Sequence, residues 1–185
     1  MNRLYSWDKT VVSSDLIYKL NSKNVHDIAK LDNFVLKSTI NTSIYEPKDI
    51  IFGLVALELV ADQKAKVSRT KKSIAAFKTR KFMPISSKVT IRHKRLYRYL
   101  DFFNFVVLPK WPQFKELTKS SLVNDKNSLS LGLTHLSIFP QLTKESEVLP
   151  KNIGLTVTIN ARSISHESDL LLLLSEFQIP VTVTL

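Results

Sequence analysis

Three short segments alternate apolar and polar residues with a period of two, and this alternation constrains the fold more than any other feature. Lys88-Val89-Thr90-Ile91-Arg92 turns Val89 and Ile91 to one side and Lys88, Thr90 and Arg92 to the other. Leu155, Val157 and Ile159 alternate with Thr156, Thr158 and Asn160 in the same way. Leu129, Leu131 and Leu133 do likewise until the phase slips near His135, as it would at a bulge. Strands of this kind bury one face only, so they call for a largely antiparallel sheet with one covered side and one polar side.

Helical patterns supply the cover. In Asp8–Leu20, residues Val11, Val12, Leu16, Ile17 and Leu20 fall mostly at helical spacing, and Asp27–Ile40 then reads as a strand. Pro47 suits the start of a helix in which Ile50, Ile51, Leu54, Leu57 and Val60 or Ala61 share a buried face. From Lys94 a second helix carries Leu96, Tyr99, Leu100, Phe103 and Val107 on one stripe, and Pro109 is expected to end it. Ser165 is placed to cap a last helix containing the five leucines Leu170–Leu174. No repeat, linker or low-complexity segment divides the chain, so residues 1–185 read as a single domain. The expected fold is α+β: a two-layer sandwich of sheet and helices, the helices on one face, with a protruding basic loop.

The charge is concentrated where the first of these strands lies. Between Asp62 and Arg98 there are thirteen Lys or Arg residues against one acid, a net +12 in 37 residues. The whole chain carries +11, so the remainder is close to neutral. A solvated lysine face normally interleaves acids that relieve its repulsion, and here they are missing. The pattern points to a polyanion, nucleic acid before an anionic lipid surface. Lys64–Lys81 has little periodicity beyond the cluster Ile74-Ala75-Ala76-Phe77 and reads as a loop that self-repulsion extends until phosphates neutralise it. Phe77 or Phe82 offers a ring for an unstacked base, although Phe77 could equally anchor its own loop.

Several chemistries find no material here. With no cysteine there is no disulfide, thiolate metal site or cysteine nucleophile. His26, His93, His135 and His166 lack metal-ligand spacing, and no phosphate-binding glycine loop, nucleophile elbow or carboxylate pair occurs. The chain reads as neither an enzyme nor a metal or cofactor binder. Its longest apolar stretch, Ile50–Ala61, is interrupted by Glu58 and is shorter than the roughly 20 residues of a membrane-spanning helix, so a soluble protein is expected. Met1–Asp15 balances Asp8 and Asp15 against Arg3 and Lys9, unlike a cleavable targeting peptide.

A long collinear set of residues resembles the large-subunit ribosomal protein 5 family. It includes Gln63, Thr70 to Lys78, Arg80, Met83-Pro84-Ile85 and Lys88 to Arg92. It continues through Tyr99-Leu100-Asp101, Leu108-Pro109-Lys110, Phe114, Ser130-Leu131-Gly132, Ile138-Phe139-Pro140 and Gly154 to Ile159, and it begins with Met1 to Leu4 and Lys23 to Val25. The resemblance covers essentially the whole chain. It implies a place in the central protuberance of the large ribosomal subunit, on 5S ribosomal RNA and nearby large-subunit RNA. It also implies contact with P-site transfer RNA, with small-subunit ribosomal protein 13 and with neighbouring protuberance proteins.

By position, Gln63 and Thr90 match residues that hydrogen-bond 5S RNA, and Lys37, Lys64, Lys66, Lys88 and Arg92 complete the expected ribosomal-RNA set. The loop Thr70–Met83 matches the segment that approaches transfer RNA, through Lys71, Lys72, Ser73, Phe77, Lys78 and Arg80. Departures from the family are the loss of an asparagine and glycines at Lys37 to Asn41, and other residues where it has glycine at Phe82, Ser86, Glu116 and Asn124 to Asn127. Lost glycines and a lysine excess of 20 over 7 arginines favour an organelle-encoded, mitochondrial-matrix protein over a plastid or bacterial one. The competing class is a basic peripheral membrane or scaffold protein whose loop meets anionic lipid.

Overall fold

In the computed structural model the described residues are 2–21, 24–39, 49–111, 127–133, 136–143 and 153–180. The sequence-predicted strands are present and one-sided. Strand β1 runs Lys30–Thr39, β2 Lys66–Arg69, β3 Pro84–Arg92, β4 Ser128–Leu133 and β5 Gly154–Arg162. They form an antiparallel five-stranded sheet in the order β2-β3-β1-β5-β4. Along β5, Leu155, Val157, Ile159 and Ala161 are buried while the residues between them are not, and β4 buries Leu129, Leu131 and Leu133 alone. In β1 the phase slips at Asp32-Asn33, between buried Leu31 and buried Phe34.

Among the described residues, six helices accompany the sheet: α1 Arg3–Trp7, α2 Ser13–Leu20, α3 Ile50–Ala61, α4 Lys94–Phe102, α5 Leu108–Lys110 and α6 Glu167–Glu176. A π-helical segment, Asp8–Val12, joins α1 to α2, and another, Phe103–Val107, joins α4 to α5. The first helical stretch therefore begins five residues before the expected Asp8. The second does not stop at Pro109. Pro109 is the penultimate residue of that continuous stretch, which ends one residue later at Lys110. Ser165 is not the cap of α6 either: the residue before that helix is His166, and the Asp169 carboxylate accepts the backbone N–H of His166 at 2.8 Å and of Ser165 at 3.2 Å. Pro47, Glu116, Ile40-Asn41, Phe114, Asn124 to Lys126 and the phase slip near His135 lie outside the described residues.

The chain divides into two compact units, and β1, β3, β4 and β5 each contribute residues to both. One unit comprises Met1–Phe34, Arg92–Leu131 and Thr158–Leu185. Its core is aromatic: the Phe34 ring meets Tyr99 edge-on at 4.9 Å and Phe103 at 5.5 Å, and Tyr97 donates its hydroxyl hydrogen to buried Asp8 at 2.9 Å. Leu170, Leu171, Leu173 and Leu174 of α6 are fully buried, each worth about 1.5–3 kcal/mol. The other unit comprises Val35–Ile91 and Gly132–Val157. There α3 buries Ile50, Ala56, Leu57 and Val60, and a left-handed Asp62 (φ 51°) ends it. Ile51, expected on the buried face of α3, is 57% exposed, and Val55 and Leu59 are exposed with it at steps of four. The near-uniform apolar composition of α3 hid which side faces out. Among the described residues no helix is long and apolar enough to cross a membrane, and no group of three His, Asp or Glu could hold a metal.

Candidate nucleic-acid interface

The basic stretch folds into a strand pair and a small hairpin. Strands β2 and β3 run antiparallel with Lys66 opposite Lys88, Val67 opposite Ser87 and Ser68 opposite Ser86. Arg69 then faces Pro84, so the register shifts by one residue at Ile85, as at a β-bulge. Lys66 and Lys88 are both exposed and both cationic, an arrangement that destabilises a sheet by roughly 0.2–1 kcal/mol unless an anion lies over it. Thr90 follows Lys88 on the same face of β3, half-buried, and Gln63 donates from Nε2 to the Thr90 carbonyl at 3.1 Å. The structure thus brings together Gln63 and Thr90, which stand 27 positions apart in the chain. Lys64 is exposed beside them in sequence, and Lys37 is exposed on β1, the strand next to β3.

Beyond the strand pair, the segment 70–83 is closed rather than extended. Thr70 N–H donates to the Met83 carbonyl at 2.9 Å and Phe82 N–H to the Thr70 carbonyl at 3.1 Å. Ile74 and Thr79 exchange backbone hydrogen bonds at 3.1 and 3.2 Å around a single 3-10 turn, Ala75–Phe77, which a left-handed Lys78 (φ 52°) ends. The Thr70 hydroxyl accepts the Met83 N–H at 3.0 Å and donates to the Arg80 carbonyl, and the Ser73 hydroxyl accepts the Lys81 N–H at 2.9 Å. Backbone pairing outweighs the self-repulsion of the loop, whose cationic residues are exposed to water, where their charges are screened. Lys71, Lys72, Lys78 and Arg80 are exposed, and the Phe77 ring is 67% exposed at the tip instead of anchoring the loop from beneath. The Ser73 hydroxyl braces the hairpin as an acceptor.

Residues 84–181, beginning at the first residue of β3, match the C-terminal region of the ribosomal L5 family. Over 181 residues, 98% of each chain, the protein is 33% identical to the large ribosomal subunit protein uL5m of Reclinomonas americana. The chain belongs to the ribosomal L5 family. It is a structural constituent of the large ribosomal subunit and not an enzyme.

Phe82 and Ser86 are two of the positions at which the resemblance implies a glycine. Phe82 adopts the positive φ (66°) that glycine takes freely, and its 66% exposed ring lies under the Lys81 ammonium at 5.2 Å. Ser86 is buried in β3 next to the bulge. The sequence reading missed the surroundings of Arg92. Arg92 ends β3 and, in the unit that holds the chain's first 34 residues, lines a cavity of about 600 Å3 together with Lys94, Arg95 and Arg162. The one signal for Arg162 is that it continues the polar phase of β5 by one more step.

Proposed function

We propose that this L5 protein sits in the central protuberance of a mitochondrial large ribosomal subunit, in the matrix, and acts as a single domain, residues 1–185. In this reading Lys37, Gln63, Lys64, Lys66, Lys88, Thr90 and Arg92 hold ribosomal RNA: 5S RNA where the ribosome has it, and neighbouring large-subunit RNA. The hairpin 70–83 reaches P-site transfer RNA through Lys71, Lys72, Ser73, Phe77, Lys78 and Arg80, and the protein also meets small-subunit ribosomal protein 13. The observation that carries the reading is the placement of Lys66 directly opposite Lys88, with no acid among the charged residues from Lys64 to Arg98. Two opposed lysines cost a free sheet stability, and a phosphate backbone turns that cost into affinity. Phe77 adds an exposed ring on which a base stacks without sequence preference.

The test is assembly followed by crosslinking. Large subunits carrying the protein with Lys71→Glu, Lys72→Glu and Lys78→Glu are expected to assemble normally and to crosslink transfer RNA less than wild-type subunits do. Undiminished crosslinking removes the transfer-RNA role from the hairpin. If the purified protein fails to bind large-subunit ribosomal RNA at moderate salt yet binds anionic vesicles, the basic surface named here serves a lipid headgroup layer and not RNA.

A further inference from the structure

We propose that the cavity at the ends of β3 and β5 is a second binding site for an RNA phosphodiester backbone, distinct from the hairpin and sharing only Arg92 with the ribosomal-RNA set named above. The inference rests on the ribosomal reading above. Four cations from three elements converge there: Arg92 ends β3, Lys94 and Arg95 open α4, and Arg162 ends β5. Among the described residues the single carboxylate in the lining, Asp32 of β1, accepts a hydrogen bond from Asn33 Nδ2 at 2.6 Å. Among the described residues no carboxylate lies within ion-pair distance of Arg92, Arg95 or Arg162; the ion pairs there are Arg3 with Asp101 and Lys19 with Glu176. Lys94 is engaged otherwise, its ammonium 5.6 Å from the centre of the Tyr5 ring.

The residue types matter as much as the charge. Lysine outnumbers arginine 20 to 7 in this chain, yet three of the seven arginines line this one concavity. The strand pair, by contrast, opposes lysine to lysine. A guanidinium offers a planar fork that grips two phosphate oxygens at once, whereas an ammonium acts as a point charge. An arginine-lined hollow therefore suits phosphates in a defined arrangement, such as a turn of RNA backbone, and low-dielectric walls focus its field on the anion. At about 600 Å3 the cavity has the size of an ordinary ligand pocket, enough for a nucleotide-sized piece of chain. Arg92, Arg95 and Arg162 are exposed, so no packing depends on their charge.

Two measurements on the full chain test this, with deproteinised large-subunit ribosomal RNA as the probe. Arginine-directed labelling with phenylglyoxal, mapped by mass spectrometry, is expected to show Arg92, Arg95 and Arg162 protected by the RNA. Adenosine monophosphate at millimolar concentration is expected to leave them reactive, and equal protection by it would make the site one for free nucleotides and overturn the inference. In salt titrations, Arg95→Gln with Arg162→Gln is expected to lower the slope of log affinity against log salt by about 1.4–1.8, the equivalent of two phosphates left without a cation. Arg95→Lys with Arg162→Lys is expected to keep the slope while weakening binding. RNA binding with an unchanged slope and fully reactive arginines overturns this inference and leaves the ribosomal reading intact. Failure of the wild-type chain to bind the RNA removes both. If the glutamine variant does not fold, labelling of the wild-type protein decides alone.

Discussion

Asp8 holds a buried carboxylate against the Tyr97 hydroxyl, and its titration reports on the fold. Burial pushes the Asp8 carboxyl above its ordinary range, with the Tyr97 hydrogen bond and the charges of Lys30 and Lys9 pulling the other way. Burial and the neighbouring Asp8 likewise push Tyr97 up. A carboxyl whose pKa is higher folded than unfolded holds its proton more tightly in the native state. Its contribution favours folding in acid and is lost as pH rises from the unfolded value, about 3.9, through the folded one. Asp8→Asn keeps an acceptor for Tyr97 and removes that loss. Its stability relative to wild type, from urea denaturation, is expected to rise between pH 3 and pH 7. Asp8→Ala leaves the buried hydroxyl unpaired and is expected to cost about 1–3 kcal/mol. None of this was legible in the sequence, which showed Asp8 only as the first polar residue of a helix; its partner stands 89 positions away.

Among the elements, β2 and β3 show most clearly where sequence reading stops. The period of Lys88 to Arg92 and the acid-free charge run were plain, and both are present in the structure as an exposed polar face. The register was not, because a shift at Ile85 decides which residues face each other, and a one-residue slip would set a different side chain against Lys88. Lys66→Gln is expected to raise the melting temperature of the free protein slightly, reflecting a few tenths to about 1 kcal/mol of relieved repulsion, while weakening its RNA complex. Opposite signs in thermal melting and RNA titration identify a functional pair, whereas a drop in both would mark Lys66 as structural. The hairpin 70–83 was legible as basic and exposed. Its closure was not, since Thr70 and Ser73 act through backbone partners eight to thirteen residues on.

Across the whole molecule, β1, β3, β4 and β5 pass from one unit to the other, so neither unit keeps its strands intact if the other unfolds. Calorimetry is therefore expected to show one transition, with calorimetric and van't Hoff enthalpies equal. Two separate transitions would refute the single domain. The sequence by itself determined the α+β class, the one-sided strands, the leucine-rich helix α6 and the concentration of charge between Asp62 and Arg98. Those follow from residue spacing and type, which act locally. Tertiary structure alone decided that Lys66 faces Lys88, that Asp8 meets Tyr97, that Ile51 points outward and that Arg92, Arg95 and Arg162 share a cavity. Each of these depends on which distant segments meet, and burial and register set that only once the chain has folded.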